Sequence, residues 1–273
     1  MSDIVCDVCF HHCHLKEGQK GFCRARENRE GKNVCCNYGL ITSLALDPIE
    51  KKPLKKFYPG SYIVSVGSFG CNLACPFCQN ASISMTDEVS ARYTCISSDR
   101  MAEIVLNQEN NLGIAFTYNE PLISYEYIMD VAERIKPYGK KVVLVTNGTV
   151  EQNVLEKLMP YVDAMNIDWK GPKDFYTELK GSEDVVKNTI AYVYDKCHLE
   201  VTTLVVPGKS DDVNFVEEEA EYLSSLDPSI VLHLSRYFPR YKYTEPATDP
   251  DVIYRLQKTA QKYLSDVYTG NIW

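Results

Sequence analysis

Three cysteines fall within eight residues, Cys71-Asn-Leu-Ala-Cys75-Pro-Phe-Cys78. Thiolates spaced C-x3-C-x2-C on one loop can converge on a single iron–sulfur cluster. A [4Fe–4S] cluster held by three protein ligands keeps one iron open to a ligand that is not protein. An open iron points to chemistry rather than to electron storage alone, whereas zinc asks for four ligands in a closed structural site. Gly67 and Gly70 precede the triplet and suit a tight loop whose backbone approaches a cluster closely. A second group lies upstream: Cys6-x2-Cys9-x3-Cys13-x9-Cys23 puts four thiols in a segment too short for its own hydrophobic core. Metal binding can supply most of the folding free energy of such a module. Zinc and an auxiliary [4Fe–4S] cluster both suit the donors, and the absence of a regular ferredoxin spacing favours zinc. Cys35, Cys36, His11, His12 and His14 are alternative ligands, with the histidines expected in solvent. Cys95 and Cys197 read as buried small hydrophobes.

The rest of the composition narrows the setting. The chain has 273 residues and a net charge of 29 − 37 = −8, which argues against sequence-independent binding to nucleic-acid phosphates. No apolar run approaches the roughly 18 residues of a membrane span. Met1-Ser-Asp-Ile-Val-Cys6 shows neither the basic nor the apolar region of a secretory signal, so the expected location is the cytoplasm. In that reducing compartment, clustered cysteines indicate metal ligation or redox work rather than structural disulfides.

Something must position these groups. From residue 62 the pattern settles into strand, loop, helix. The expected strands are Tyr62–Val66, Gly113–Thr117, Lys141–Thr146, Asp163–Asp168, Leu199–Val206 and Val231–Ser235. Runs such as Val142-Val-Leu-Val145 are continuously apolar, as for strands buried on both faces of a parallel sheet. Helices are expected over Met101–Asn110, Leu122–Lys136, Val150–Leu158, Asp184–Lys196, Phe215–Leu226 and Asp251–Leu264. Ser98-Asp99 and Asp211-Asp212 are the expected caps. Six units of about 30 residues match the pace of an α/β barrel but fall two short of eight. The fold class is therefore an open, partial (β/α)6 barrel, with a doubly wound sheet as its competitor. Residues 1–60 form a cysteine-rich, metal-bound extension and residues 61–273 the barrel with its C-terminal helix.

Polar residues gather where the strands stop: Tyr118-Asn119-Glu120-Pro121, Thr146-Asn147-Gly148, Asp168-Trp169-Lys170, Pro207-Gly208 and Ser235-Arg236-Tyr237. In either parallel architecture the site forms at that edge.

With Phe77 before the last cysteine, the triplet resembles the signature of radical S-adenosylmethionine (SAM) enzymes. Asn119-Glu120-Pro121 stands where that superfamily carries a Gly-Gly-Glu motif, which implies that Glu120, with Asn119, holds the SAM amino group. A carboxylate suits that role, since it pairs with an ammonium by a charge-assisted hydrogen bond. Thr146-Asn147-Gly148, Asp168-Trp169-Lys170 and Val205-Val206-Pro207-Gly208 are similar to stretches of pyruvate formate-lyase activating enzymes. Thr146, Asp168 and Lys170 are thereby implied as SAM contacts. Phe77 is either a cover for the adenine or ordinary loop packing.

A closer resemblance, over nearly the whole chain, is to the radical SAM member of the AmmeMemoRadiSam system. It is carried by the N-terminal cysteines, Asp47-Pro-Ile-Glu-Lys-Lys-Pro53, Gly70-Cys-Asn-Leu, Cys78-Gln-Asn80, Phe116-Thr-Tyr-Asn-Glu-Pro121, Val201-Thr-Thr, His233-Leu-Ser-Arg236 and Tyr268-Thr-Gly-Asn271. The resemblance implies reductive cleavage of SAM to methionine and a 5′-deoxyadenosyl radical, which takes a hydrogen atom from a substrate at the barrel mouth. It also implies an electron donor such as flavodoxin or ferredoxin and companion proteins of that system.

Departures limit the carry-over. The activating enzymes have Asp-Thr-Asn-Gly where this chain has Val145-Thr-Asn-Gly148, an Arg where Thr202 stands, and Leu-Pro-Tyr-His where Leu234-Ser-Arg-Tyr237 stands. A cation site beside SAM and a glycyl-radical partner protein are both put in doubt. The expected substrate is therefore a small molecule or peptide, with glycyl-radical activation of a partner protein as the alternative. A non-catalytic iron–sulfur carrier and a structural zinc protein are the rivals from other classes. Lys51-Lys-Pro-Leu-Lys-Lys56 is expected as a solvated loop, with docking of an acidic donor as its functional reading. Arg236-Tyr-Phe-Pro-Arg-Tyr-Lys-Tyr243 is expected to line the substrate mouth or pack on the rim.

Overall fold

The computed structural model describes residues 2–272. Two antiparallel hairpins open it, β1 (Ile4–Val5) with β2 (His14–Leu15) and β3 (Arg26–Arg29) with β4 (Lys32–Cys35). β5 (Leu40–Ile41) and β6 (Ser43–Pro48) follow. β6 runs antiparallel to β7 (Tyr62–Gly67), and β5 pairs with the short β8 (Thr94–Cys95). β9 (Asn111–Phe116), β10 (Lys141–Thr146), β11 (Ala164–Asp168), β12 (His198–Val205), β13 (Val231–Arg236) and β14 (Val267–Gly270) complete the main sheet. Its order is β14-β13-β12-β11-β10-β9-β7-β6, and every pairing except β6–β7 is parallel. Among the described residues β6 and β14 do not pair with each other, so the barrel is partial.

The six expected strands are all present. Two additional strands of the main sheet escaped the periodicity. β14 is only four residues long, and β6 carries Leu44 and Leu46 exposed, so neither reads as a buried strand. The helices are a single turn α1 (Ala81–Ser84), then α2 (Ser98–Asn107), α3 (Tyr125–Ile135), α4 (Gln152–Leu158), α5 (Lys173–Glu178), α6 (Glu183–Val193), α7 (Val213–Leu226) and α8 (Pro250–Ala260). Ser97, one residue before the expected Ser98, caps α2 by accepting the Arg100 N–H at 3.2 Å. Asp212 caps α7, and Asp249 caps α8 with Pro250 in its first turn, where a missing N–H costs no intrahelical bond.

Strand alternation separates two cores. Val64, Val66, Ile114, Phe116, Val142, Leu144, Met165 and Ile167 pack against the helices. Ile63, Ala115, Val143 and Ala164 point the other way and are covered by Ile49, Leu54 and Phe57. The segment expected to be a solvated basic loop is thus a plug on the helix-free face of the sheet, and even Lys52 is buried. Its lysines concealed the plug, because the apolar residues that anchor it are only three.

The plug is pinned by a buried carboxylate. Glu200 accepts from the backbone N–H of Lys55 (2.9 Å) and Lys56 (2.7 Å) and pairs with His198 (2.9 Å) and His233 (2.5 Å). Asn166 adds a bond from its amide to the Pro53 carbonyl at 2.9 Å. Strand register places Asn166 beside Glu200, and Asp168 beside Thr202, one step nearer the C-terminal edge. The same inner face therefore changes from floor to site within two residues.

Candidate active site

The cluster loop leaves β7 at Gly67 and is tied down at several points. Asn119 accepts the Ser68 N–H (2.9 Å) and donates to the carbonyls of Phe69 (3.2 Å) and Gly70 (3.1 Å). Ala74 N–H bonds Leu179 carbonyl (2.9 Å), and Gly70 N–H bonds Ile83 carbonyl (3.0 Å). Gly70 has φ +88°, and a Cβ there would lie 2.6 Å from the Cys23 carbonyl oxygen, so backbone packs on backbone. The loop presents Cys71, Cys75 and Cys78 to one cavity of about 280 Å³ at the C-terminal edge of the sheet. Glu120, Thr146, Asn147, Asp168, Lys170, Thr202 and Ser235 line it from five strand ends. Burial pushes the Cys75 thiol up to about 12, opposed by the charge of Lys170. A bound cation is what would turn such thiols into thiolates.

Glu120 is buried and belongs to the turn that follows β9. Its carboxylate accepts from Thr146 Oγ1 (2.6 Å), Asn147 N–H (2.8 Å) and Leu122 N–H (2.9 Å). Burial nevertheless pushes it up to about 7, with Asp168 adding to the rise against those three donors. A carboxylate has about four lone-pair sites, so one remains for a cation. Thr146 thus orients Glu120, and also accepts the Gly148 N–H at 3.0 Å.

Lys170 Nζ meets Asp168 Oδ2 at 2.6 Å inside the same cavity. Burial works against the Lys170 charge, but the attraction of Asp168 outweighs it and raises the pKa. Asn119 lines the cavity, yet its amide is occupied by the loop backbone. Phe77 lines the cavity while packing against Phe175 (ring centroids 5.7 Å) and Tyr243 (6.4 Å), which makes it a wall of the site within a small apolar core.

Two residues of these stretches were given no role of their own in the sequence. Tyr118, at φ +72°, lines the cavity and donates to Asp47 Oδ2 at 2.7 Å, and Lys52 Nζ bonds the same oxygen at 2.9 Å. A Cβ on Gly67 would fall 3.0 Å from the Tyr118 Cβ, so the glycine admits the ring. Burial opposes the Asp47 charge, but hydrogen bonds from Lys52, Tyr118 and Lys51 hold the carboxyl well below its ordinary range. Asn72 was the other, and Asn147 donates to its Oδ1 at 2.9 Å while lying 3.7 Å from Cys71 Sγ. The Asp47–Pro53 stretch was the available signal for the first pair, but a lysine run gave no sign of burial.

The upstream cysteines sit against this loop. Cys6, Cys9 and Cys23 are buried and Cys13 is half-buried. Of the histidines, His12 and His14 are mostly solvent-facing, while the His11 ring bonds the Asn72 carbonyl at 2.9 Å. Cys95 is exposed, against the expectation of a core residue, because β8 lies at the surface; Cys197 is partly buried. Arg236 of the expected mouth segment bonds the Thr248 carbonyl at 2.7 Å and lies over Phe238, which makes it rim packing.

Comparison with known proteins gives a consistent picture. The family described as the Radical SAM superfamily matches residues 65–218. An uncharacterized protein of Methanocaldococcus jannaschii is 38% identical over 98% of this chain and 81% of its own. A proposed glycyl-radical enzyme activating enzyme of the same organism is 26% identical over 79% of this chain and 91% of its own. Among solved structures, Streptococcus suis SuiB bound to S-adenosylmethionine superposes with a TM-score of 0.59 at 15% identity, over 75% of this chain and 49% of that one.

Proposed function

This chain belongs to the radical SAM superfamily, and on that premise we propose that it catalyses the reductive cleavage of S-adenosylmethionine, using the resulting 5′-deoxyadenosyl radical to take a hydrogen atom from a small molecule or peptide. The observation that carries this reading is the convergence of Cys71, Cys75 and Cys78 with Glu120 and the Asp168–Lys170 pair on one cavity. Three thiols on one loop fit a [4Fe–4S] cluster with one open iron. Glu120 is the residue for the ammonium of SAM, because its three donors leave one carboxylate lone pair over and it faces the same cavity as the three thiols. Lys170, held by Asp168 and partly buried, offers the ammonium of the cavity lining to a carboxylate. Asn119 and Thr146 position loop and carboxylate, and Tyr118 lines the same cavity. Cofactor and cluster carry the hard chemistry, while these residues bind, orient and exclude water.

Within the superfamily, the quoted stretches support assignment to the AmmeMemoRadiSam system, with its companion proteins and a flavodoxin- or ferredoxin-type donor as partners, in the cytoplasm. The similarity to a proposed activating enzyme favours a second reading, glycyl-radical formation on a partner protein. Thr202 and Ser235, both short and both lining the cavity, leave space that favours the first. The test is anaerobic reconstitution with iron and sulfide, followed by SAM and a strong one-electron reductant. The expected product is 5′-deoxyadenosine. Its absence from a chain with an intact cluster would sink the proposal.

A further inference from the structure

Four consecutive residues after β9, Thr117, Tyr118, Asn119 and Glu120, line the cavity together. An extended strand cannot achieve this, because its side chains alternate between opposite faces. The chain turns instead at Tyr118, which takes the left-handed φ of +72° that a residue with a bulky side chain rarely adopts. A tyrosine gains nothing locally from that conformation, so its contacts must hold it there.

Those contacts lie at both ends of the residue. The phenol donates to Asp47 Oδ2 at 2.7 Å, and Lys52 Nζ meets the same oxygen at 2.9 Å while lying 4.8 Å from the centre of the tyrosine ring. Lys51 adds a longer bond, 3.3 Å, to the other carboxylate oxygen. Lys52 is buried, and among the described residues its ammonium has no acceptor besides Asp47. At the backbone, the Tyr118 carbonyl accepts from Asn80 Nδ2 at 2.8 Å, two residues beyond Cys78. Gly67 makes room for the ring, since a Cβ there would fall 2.9 Å from Tyr118 Cδ2. Tyr118 therefore joins the plug, the exit of the cluster loop and, two residues on, Glu120.

Stability does not account for the charges in this arrangement. Burying a lysine with a carboxylate costs both of them water, and such a pair adds little over apolar residues of the same volume. It does fix geometry. A carboxylate already held by Lys52 and Lys51 offers the phenol one place to bond.

We propose that Asp47 and Lys52 form a positioning unit that acts through Tyr118, locking the turn after β9 and so setting Glu120 toward the ammonium of SAM. The Asp47–Pro53 stretch then serves the mouth of the barrel as well as its floor. This inference rests on the reading of Glu120 as the residue that binds SAM.

Tyr118→Phe keeps the ring beside Gly67 and Lys52 and removes only the bond to Asp47. Calorimetric titration of SAM into the anaerobically reconstituted variant should show affinity about tenfold weaker, the order of one hydrogen bond to a charged group. Iron content should match that of the natural chain, and cleavage at saturating SAM should change by less than about twofold, the pattern of lost binding rather than lost chemistry. Lys52→Met should weaken SAM binding in the same way, and the double variant should be no weaker than the worse single one, because the residues act as a unit. Unchanged affinity in Tyr118→Phe overturns the proposal, as do losses that multiply in the double variant. Iron lost in step with affinity assigns the triad to loop folding alone and also overturns it. If Lys52→Met does not fold, the Tyr118→Phe titration decides. Failure of the radical SAM reading looks different: a natural chain that binds SAM without cleaving it leaves the positioning unit to be judged on affinity, whereas one that binds no SAM overturns both.

Discussion

Two buried glutamates face the inside of the same barrel and end in opposite states. At the floor, Glu200 meets two imidazoles and two backbone amides, and despite burial it is pulled down to about 2. At the mouth, Glu120 meets one hydroxyl and two amides, and burial with a neighbouring Asp168 pushes it up to about 7. Desolvation acts on both in the same direction, so the partners decide the outcome. The floor is electrostatically complete and holds the plug. At the mouth, three donors leave one lone pair of the Glu120 carboxylate over. A structural carboxylate and a binding carboxylate are distinguished here by the lone pair left over.

The same substitution at each place should separate the two carboxylates most strongly. Glu120→Gln should lower kcat/KM for SAM by roughly 10²–10³-fold, the usual cost of removing one partner from a buried charge pair. Its effect on the Tm of the metal-loaded chain without SAM should be small. Glu200→Gln should do the reverse. A pKa displaced from 4.5 to about 2 corresponds to stability on the order of 3 kcal/mol at neutral pH, read from chemical denaturation, with SAM affinity retained in the folded fraction. Equal losses of stability from both substitutions would erase the distinction.

Titration sharpens it further. Because Glu120 must ionise to hold an ammonium, SAM affinity should rise roughly tenfold per pH unit up to about 7 and level off above. Calorimetry in buffers of different ionisation enthalpy should show proton release on binding below that pH. Glu200 behaves oppositely. Its folded pKa is depressed, so its contribution is full above the unfolded value near 4.5 and disappears as pH falls toward 2.

Smaller effects mark where the two regions meet and where neither reaches. Gly70→Ala introduces a Cβ against the immovable Cys23 carbonyl at positive φ. The strain of about 1–3 kcal/mol should appear as reduced iron loading at the catalytic loop. Lys173→Ala removes an exposed partner of Asp184, and should change denaturation stability by less than about 0.5 kcal/mol.

The strands and helices of the barrel were legible because their apolar runs and caps are local signals. The cysteine triplet was legible through spacing, and Glu120 through its place at a strand end. What escaped depended on distant partners. Lys52 reads as solvated until Asp47 and Tyr118 surround it, and Asn72 reads as a loop filler until Asn147 and the Thr149 carbonyl bond it. Asn119 and Thr146, read as cofactor contacts, line the cavity, and in the fold one also secures the loop and the other orients Glu120. A strand-end residue can serve a site without reserving its own polar atoms for the ligand.

The most direct test is the yield of 5′-deoxyadenosine from three reconstituted chains, natural, Glu120→Gln and Glu200→Gln, each matched for iron and given SAM and reductant without oxygen. Product is expected from the natural and Glu200→Gln chains, with a near-complete loss in Glu120→Gln. Product from Glu120→Gln at the natural rate, or none from the natural chain with its cluster intact, would contradict this expectation.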